Sequence, residues 1–233
     1  MPIQLIKQLI EEAETNPSAL ISEVNTKDHF EIARLLHQLS DKGKTLVFNS
    51  LSSDLKRQEL LYETDLDSRL EIQNFLAPEY LAKLLGNMPE DEATDILQEL
   101  NPETQEEILK QMEVKDAVVI KDLITYKEET AGGLMVPKFN TVQEDQLARQ
   151  ILMNIKHGSS TDIHPHFYVI GSENELKGYF KLRDLLNAPT DAKACKIMRL
   201  NTPKVLVTDT SDKVASLMDK EHLSAIPVVD NYN

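Results

Sequence analysis

The 233-residue chain has no tryptophan, one cysteine (Cys195), seven glycines and few aromatic residues of any kind. A single thiol excludes an intramolecular disulfide and a cysteine-based zinc cluster, which fits a reducing compartment. No uninterrupted apolar run approaches the roughly 20 residues needed to cross a bilayer. The opening Met1-Pro2-Ile3-Gln4-Leu5-Ile6-Lys7 lacks the apolar stretch and small-residue cleavage site of a secretory signal. As it stands, the chain is expected to be soluble. Basic residues are also short: Lys and Arg total 25 against 39 Asp and Glu, a formal charge of −14. Such a surface repels phosphate backbones and anionic headgroups, so nucleic acid is excluded as a partner and cations or basic proteins are favoured. Catalytic signatures are missing too. There is no phosphate-binding glycine loop, no G-x-S-x-G and no Ser/His/Asp set at a known spacing, so the expectation is not an enzyme.

What the chain does have is a repeat. Ala77–Met88, Pro89–Leu100 and Asn101–Met112 align residue for residue. Leu84, Ile96 and Ile108 form one column, Leu85, Leu97 and Leu109 a second, and Met88, Leu100 and Met112 a third. Leu60 and Ile72 extend the first column upstream and Leu76 the third, while Thr64 and Gln73 break the pattern. A period of twelve suits one helix of about nine or ten residues and a tight turn. Pro78, Pro89 and Pro102 stand where the helices should start, since the first turn does not use the missing N–H, and Asn101 is suited to cap the third. Helices this short need neighbours to bury their stripes. The expectation is a superhelix of short helices over 28–130, preceded by a helical segment over 1–27.

Acidic residues occupy the other face. Between Pro89 and Thr130 thirteen acids meet four lysines. Asp91, Asp95 and Glu99, spaced i, i+4, i+8, line one side of a helix, where like charges repel unless a cation or basic partner offsets them. A plain solvated face is the alternative.

After Gly132-Gly133 the period changes. A strand over Phe139–Val142, a helix over Glu144–His157 ended by Gly158, a strand over Phe167–Ile170, a turn over Gly171–Asn174, a return strand over Leu176–Phe180 and a helix from Arg183 form a β-α-β-β-α unit over 131–195. A second unit begins over 196–233 with a strand at Lys204–Val207, a helix at Ser211–Lys220 carrying Val214, Leu217 and Met218 inward, and a strand at Ala225–Val229. Asp230-Asn231-Tyr232-Asn233 has turn chemistry, and the return strand and last helix are missing, so this copy is expected to be incomplete. The fold class is thus multidomain, α followed by α/β. His164 and His166, flanking Pro165, lack a third metal ligand and are expected in a surface loop.

Two tandem units with ends such as Tyr179-Phe180-Lys181-Leu182-Arg183-Asp184-Leu185-Leu186 and Ser224-Ala225-Ile226-Pro227-Val228-Val229-Asp230 resemble a pair of cystathionine-β-synthase (CBS) domains. The junction Tyr126-Lys127-Glu128-Glu129-Thr130-Ala131-Gly132-Gly133-Leu134-Met135 resembles the link between helical domain and CBS pair in MgtE-type Mg²⁺ channels, over roughly residues 28–233. The resemblance implies a homodimeric channel whose membrane helices follow the CBS pair. These soluble parts then lie on the cytoplasmic face and hold the pore shut when Mg²⁺ binds between their acidic surfaces. It implies metal-binding roles for Asp91 and Asp95, flanked by Glu92 and Glu99. Gly132-Gly133, without Cβ atoms, is expected to let the two parts swing, and paired CBS units are expected to bury apolar helix faces drawing on Leu185, Leu186, Val214 and Met218. The resemblance implies ATP as a second ligand, at Tyr168, Arg183 and Asp184, although Lys181 departs from the small hydroxyl residue usual two places before the arginine. Two rivals remain open: a soluble adenine-nucleotide sensor and a helical-repeat interaction scaffold.

Overall fold

The computed structural model describes residues 2–13, 16–157 and 165–230. Gly158, His164 and the terminal Asn231-Tyr232-Asn233 lie outside them. The chain divides into two compact units, Met1–Ile124 and Thr125–Asn233.

The first unit is helical among its described residues: α1 Pro2–Glu11, α2 Pro17–Thr26, α3 His29–Leu36, α4 Asp41–Ser50, α5 Asp54–Glu63, α6 Leu66–Phe75, α7 Pro78–Leu85, α8 Glu90–Gln98, α9 Pro102–Gln111 and α10 Val114–Leu123. From α2 onward the starts fall every twelve residues, except for thirteen between α4 and α5. The repeat therefore runs much further than its apolar letters suggest. One buried column passes through Val24, Leu36, Phe48, Leu61, Gln73, Leu85, Leu97 and Leu109. Thr64 and Gln73, which interrupt the apolar pattern, sit buried at their repeat positions all the same. α1 and α2 deliver Ile6, Leu20 and Val24 to the same core, so residues 1–27 are not a separate body.

α1 packs chiefly on α2, and the helices after it pack chiefly on the second one along: α3 on α5, α5 on α7 and α7 on α9, with α2 on α4, α4 on α6 and α8 on α10. The side chains of Asp28, Ser40, Ser53, Asp65 and Asn101 cap α3, α4, α5, α6 and α9, each accepting from the N–H three residues on. Each such cap is worth about 1 kcal/mol. Pro78 and Pro102 open α7 and α9 as expected, whereas Pro89 is one place earlier, as the cap residue of α8 with ψ of 137°. Its ring suits the φ of −52° there, and a cap residue donates no intrahelical bond.

Two arginines twelve residues apart repeat one task. Arg57 donates to the carbonyls of Phe48, Asn49 and Leu51 at the end of α4. Arg69 donates to those of Tyr62 and Thr64 at the end of α5. Both satisfy orphan C-terminal carbonyls and place a cation at the negative end of a helix dipole.

The second unit contains β1 Asn140–Gln143, α11 Ala148–His157, β2 His166–Ile170, β3 Leu176–Lys181 and α12 Leu182–Asn187, then α13 Ala194–Ile197, β4 Val205–Leu206, α14 Ser211–Lys220 and β5 Val228–Val229. β1 runs parallel to β2, and β2 antiparallel to β3 with Phe167 opposite Phe180 and Tyr168 opposite Tyr179. β4 and β5 form a separate parallel pair. The β-α-β-β-α order holds, with differences at its edges. α11 starts at Ala148 rather than Glu144, because the carbonyls of Glu144 and Gln146 accept from Cys195 and Ala194 instead of opening a helix. The Asn174 backbone at φ 62° closes the β2–β3 turn in a conformation that asparagine tolerates. His166 begins β2 and is buried, not in a surface loop: strand pairing with Lys181 extends one residue beyond the apolar run.

Two further expectations are corrected. Leu185 is fully buried in the core with Val142, Ile151, Phe167, Val169 and Phe180, so it is unavailable to a partner. Leu186 is exposed, and Val214, Leu217 and Met218 are only half-buried. Gly132-Gly133 is not a loose link either. The N–H groups of Ala131 and Gly132 donate to the carbonyls of Asp209 and Val207. A Cβ on Gly132 would come within 2.6 Å of the Tyr126 ring, and one on Gly133 within 2.3 Å of the Lys127 carbonyl. These glycines serve close approach, not free rotation.

Asp54, at the start of α5, accepts from Lys83 at 2.7 Å and Tyr80 at 2.8 Å and pairs with Arg57 at 3.0 Å. These bonds, Lys83 first, hold its pKa down at about 2. A depressed carboxylate stabilises the fold above its unfolded pKa, and that contribution fades as pH falls through the folded value. Asp54→Asn should therefore lower the urea midpoint at pH 6, with the gap to wild type closing between about pH 4 and pH 2. A gap unchanged across that range in urea titrations would remove Asp54 from the ion-pair account.

Candidate ligand sites

The first candidate lies on the helical unit. α8 opens with Glu90, Asp91 and Glu92, and the positive end of its dipole tolerates acids there. Beyond that tolerance, the acids are crowded. Burial comes first among the causes that raise the Glu92 pKa, followed by the charges of Asp91, Glu63 and Asp95. Tyr62 is raised by burial and then by Asp95, Glu92, Asp91 and Glu63. Four carboxylates thus gather around one phenol where α5 ends and α8 begins. A carboxylate whose pKa is raised on folding costs stability at neutral pH, and the cost is relieved as pH falls through the raised value.

Asp91 is half-buried, and its Oδ1 is sealed from solvent with no hydrogen-bond partner among the described residues. Asp95 is exposed. Glu99, expected with this set, is instead held by Arg69 Nη1 at 2.6 Å, so its charge is already matched. Glu63 and Tyr62 are the additions; they lie three helices upstream, and no local spacing announces them. Among the described residues no group of three or more His, Cys, Asp or Glu side chains is arranged to hold a metal ion. Asp91, Glu92 and Asp95 nevertheless fit Mg²⁺ in kind. They are hard oxygen donors carrying excess negative charge, and Mg²⁺ typically takes only one or two carboxylates and keeps its remaining water.

The second candidate is a cleft in the CBS-like unit. Strand alternation divides β2 and β3 between two faces. Phe167, Val169 and Phe180 enter the core, the two phenylalanine rings stacked at 5.4 Å. His166, Tyr168 and Tyr179 line the cleft on the other face. Pro203, Leu223, Ala225 and Pro227 of the second copy close it, with Thr202 adding a hydroxyl. Tyr168, which the resemblance assigns to a nucleotide, thus lines this cleft. Arg183 and Asp184 do not line the cleft: Arg183 is exposed, and Asp184 accepts from the Lys181 N–H at 3.0 Å and pairs with Arg199 at 3.3 Å. Arg199 also lies over the Tyr179 ring at 5.9 Å. The residues missed by the sequence reading, His166 and Tyr179, were signalled by the alternation that exposes every second strand residue to one face.

Comparison with known proteins bears on both candidates. A family model for the MgtE intracellular N domain matches residues 28–129, and one for the CBS domain matches 131–191. The magnesium transporter MgtE of Thermus thermophilus is 33% identical over 115 residues, which are 48% of this chain and 25% of that protein. That of Enterococcus faecalis is 30% identical over 50% of this chain and 26% of that protein, and that of Bacillus subtilis 20% identical over 88% and 45%. The chain thus spans between a quarter and a half of the length of these relatives. In fold it is similar to the cytosolic domain of the Mg²⁺ channel MgtE in complex with ATP, with a TM-score of 0.84 at 23% identity over 99% of this chain and 93% of that one. It is also similar to the soluble part of a magnesium transporter, with a TM-score of 0.73 at 24% identity over 98% and 90%. No helix of the described residues is long and apolar enough to cross a membrane. In domain content and order the chain carries a region matching the MgtE intracellular N domain followed by one matching a CBS domain, in a fold similar to that of the cytosolic part of MgtE.

Proposed function

We propose that this chain is the Mg²⁺-sensing regulatory region of a magnesium transporter, acting at the cytoplasmic face of the membrane. The observation that carries the reading is the crowding of Asp91, Glu92, Asp95 and Glu63, with one Asp91 oxygen buried and unpaired. A divalent cation offsets that repulsion and supplies the missing partner. Asp91 and Asp95 are the proposed ligands and Glu92 adds field. Glu99 keeps Arg69 in place, and so helps fix the end of α5 beside the acids.

Such a site is weak by design. One site filled at ten times its dissociation constant contributes about 1.4 kcal/mol. Driving a gate from mostly open to mostly closed takes about 5.5 kcal/mol. Several sites must then act together, on a broadly acidic surface, with a membrane domain of the same full-length chain as the part controlled. MgCl₂ should raise the melting temperature more than NaCl at matched ionic strength, since monovalent salt also screens repulsion. Asp91→Asn/Asp95→Asn should lose at least half of that excess. Equal responses to the two salts, or a double variant that responds like wild type, would return these acids to a solvated face and favour the scaffold reading.

A second ligand is supported by a separate observation. The aromatic and apolar walls of the cleft suit a flat ring, and the related cytosolic domain of MgtE was solved with ATP. We infer that the cleft takes an adenine nucleotide, with Tyr168 against the base and Arg183 available to phosphate. Asp184, already bonded to Lys181 N–H and Arg199, exchanges Arg199 for a ribose hydroxyl. Calorimetry with millimolar ATP should show binding that Tyr168→Ala weakens about tenfold or more, the loss of a stacked aromatic face. Unchanged affinity in that variant would separate the ligand from this cleft.

The same reading includes a homodimer made through the CBS region. Leu186 is exposed and Val214 and Met218 are half-buried, and they offer the apolar surface. Light scattering over a concentration series should show a mass rising toward twice the chain mass, and Leu186→Glu should hold it at the monomer. A strict monomer at every concentration argues against the dimer.

A further inference from the structure

We propose that His166 determines which ring the CBS cleft accepts, by hydrogen bonding to the edge of an uncharged nitrogen heterocycle that carries an exocyclic amine. The proposal rests on the adenine-nucleotide reading and goes beyond it, because no expectation assigned His166 to a ligand.

The cleft is lined almost wholly by aromatic and apolar side chains, which suit the ring of a nucleotide rather than its charged phosphates, so selectivity inside the cleft is selectivity for the ring. Four apolar side chains on one wall and two tyrosine rings on the other distinguish flat from bulky, but not one base from another. That task falls to the polar atoms that reach the cleft.

Thr202 and the two phenols carry hydroxyls that rotate to suit whatever is present. The imidazole of His166 is more constrained. It stands on paired backbone, opposite Lys181 in the β2–β3 register, and its own carbonyl accepts from Asn140 Nδ2 at 3.4 Å. Its ring tilts against that of Tyr179 at 6.3 Å. The residue is 8% exposed; its ring lines the cleft, and its nitrogens, not sealed from solvent, make no hydrogen bond to the described residues. A ligand that displaces water from the cleft and pairs with the ring is favoured over one that displaces the water and leaves it unpaired. Burial, and then the charge of Lys181, lower the His166 pKa and keep the ring neutral at ordinary pH. A neutral imidazole has one donor and one acceptor. Its unprotonated nitrogen can take a hydrogen from an exocyclic amine, as on adenine.

The test compares AMP with its analogue lacking the 6-amino group, purine riboside monophosphate, by ligand-observed NMR titration. Wild type should prefer AMP by about tenfold, the scale of one hydrogen bond to an otherwise unpaired group. His166→Phe keeps an aromatic wall and should bind both ligands equally, at the level wild type shows for the analogue. His166→Gln, whose amide carbonyl can accept the same hydrogen, should restore part of the preference and covers the case in which the phenylalanine variant does not fold. Equal affinity of wild type for the two ligands, or a preference retained in both variants, overturns the role of His166 while leaving nucleotide binding standing. No binding of AMP or ATP to wild type overturns the nucleotide reading, and this inference with it.

Discussion

A helix of ten residues cannot hold its own hydrogen-bonded turns in water, and no described helix of the first unit is longer. That constraint governs the unit. Each helix must place its apolar stripe against another, and the twelve-residue period brings the second neighbour, rather than the first, to the required distance and face. Caps, prolines and the two carbonyl-binding arginines then finish helix ends that the short lengths leave numerous. The outward faces are free to be chosen for other reasons, and in this chain they are chosen acidic.

The acids of α8 illustrate how the scaffold gathers charge at one place. On an isolated helix, Asp91 and Asp95 would be two solvated carboxylates four residues apart. In the superhelix the end of α5 brings Tyr62 and Glu63 beside them, and packing withdraws one Asp91 oxygen from water. Neither the spacing nor the burial alone supports the proposed cation site; their coincidence does. Arg69 keeps Glu99 out of the crowd while tying down the carbonyls that position Tyr62. The same residue therefore limits the repulsion and builds the surface on which it acts.

Much of this was legible in the letters. The repeat columns announced the helical array, and the change to alternating residues announced the β-α-β-β-α unit and most of its edges. The strand pattern put Tyr168 on β2, and the resemblance to CBS domains put it at the cleft. What escaped depends on contacts distant in sequence. Thr64 and Gln73 look like interruptions because polarity hides position, although the backbone keeps count through them. Glu63 reaches the acids of α8 only after three helices have folded. Leu185 reads as a surface residue until β2 and β3 close a core over it, and Gly132-Gly133 reads as a hinge until Tyr126 and the carbonyl of Val207 occupy its surroundings. His166 was misread because, with no third metal ligand beside it, a surface loop was the plain reading, whereas strand pairing with Lys181 takes it in.

The thirteenth residue between the starts of α4 and α5 has a consequence for how such a chain can vary. Inside a helix, one inserted residue turns everything after it by about 100°, so the stripe would face solvent and the following ridge would miss its groove. In the connector at Leu51–Ser53 the same insertion is absorbed as slack: Leu51 stays buried and Ser53 still caps α5. The array behaves like a ratchet with rigid teeth and adjustable gaps. Its phase is reset at every connector, so a length error in one repeat does not propagate to the next, and the α8 acids keep their facing even though the count upstream has slipped by one.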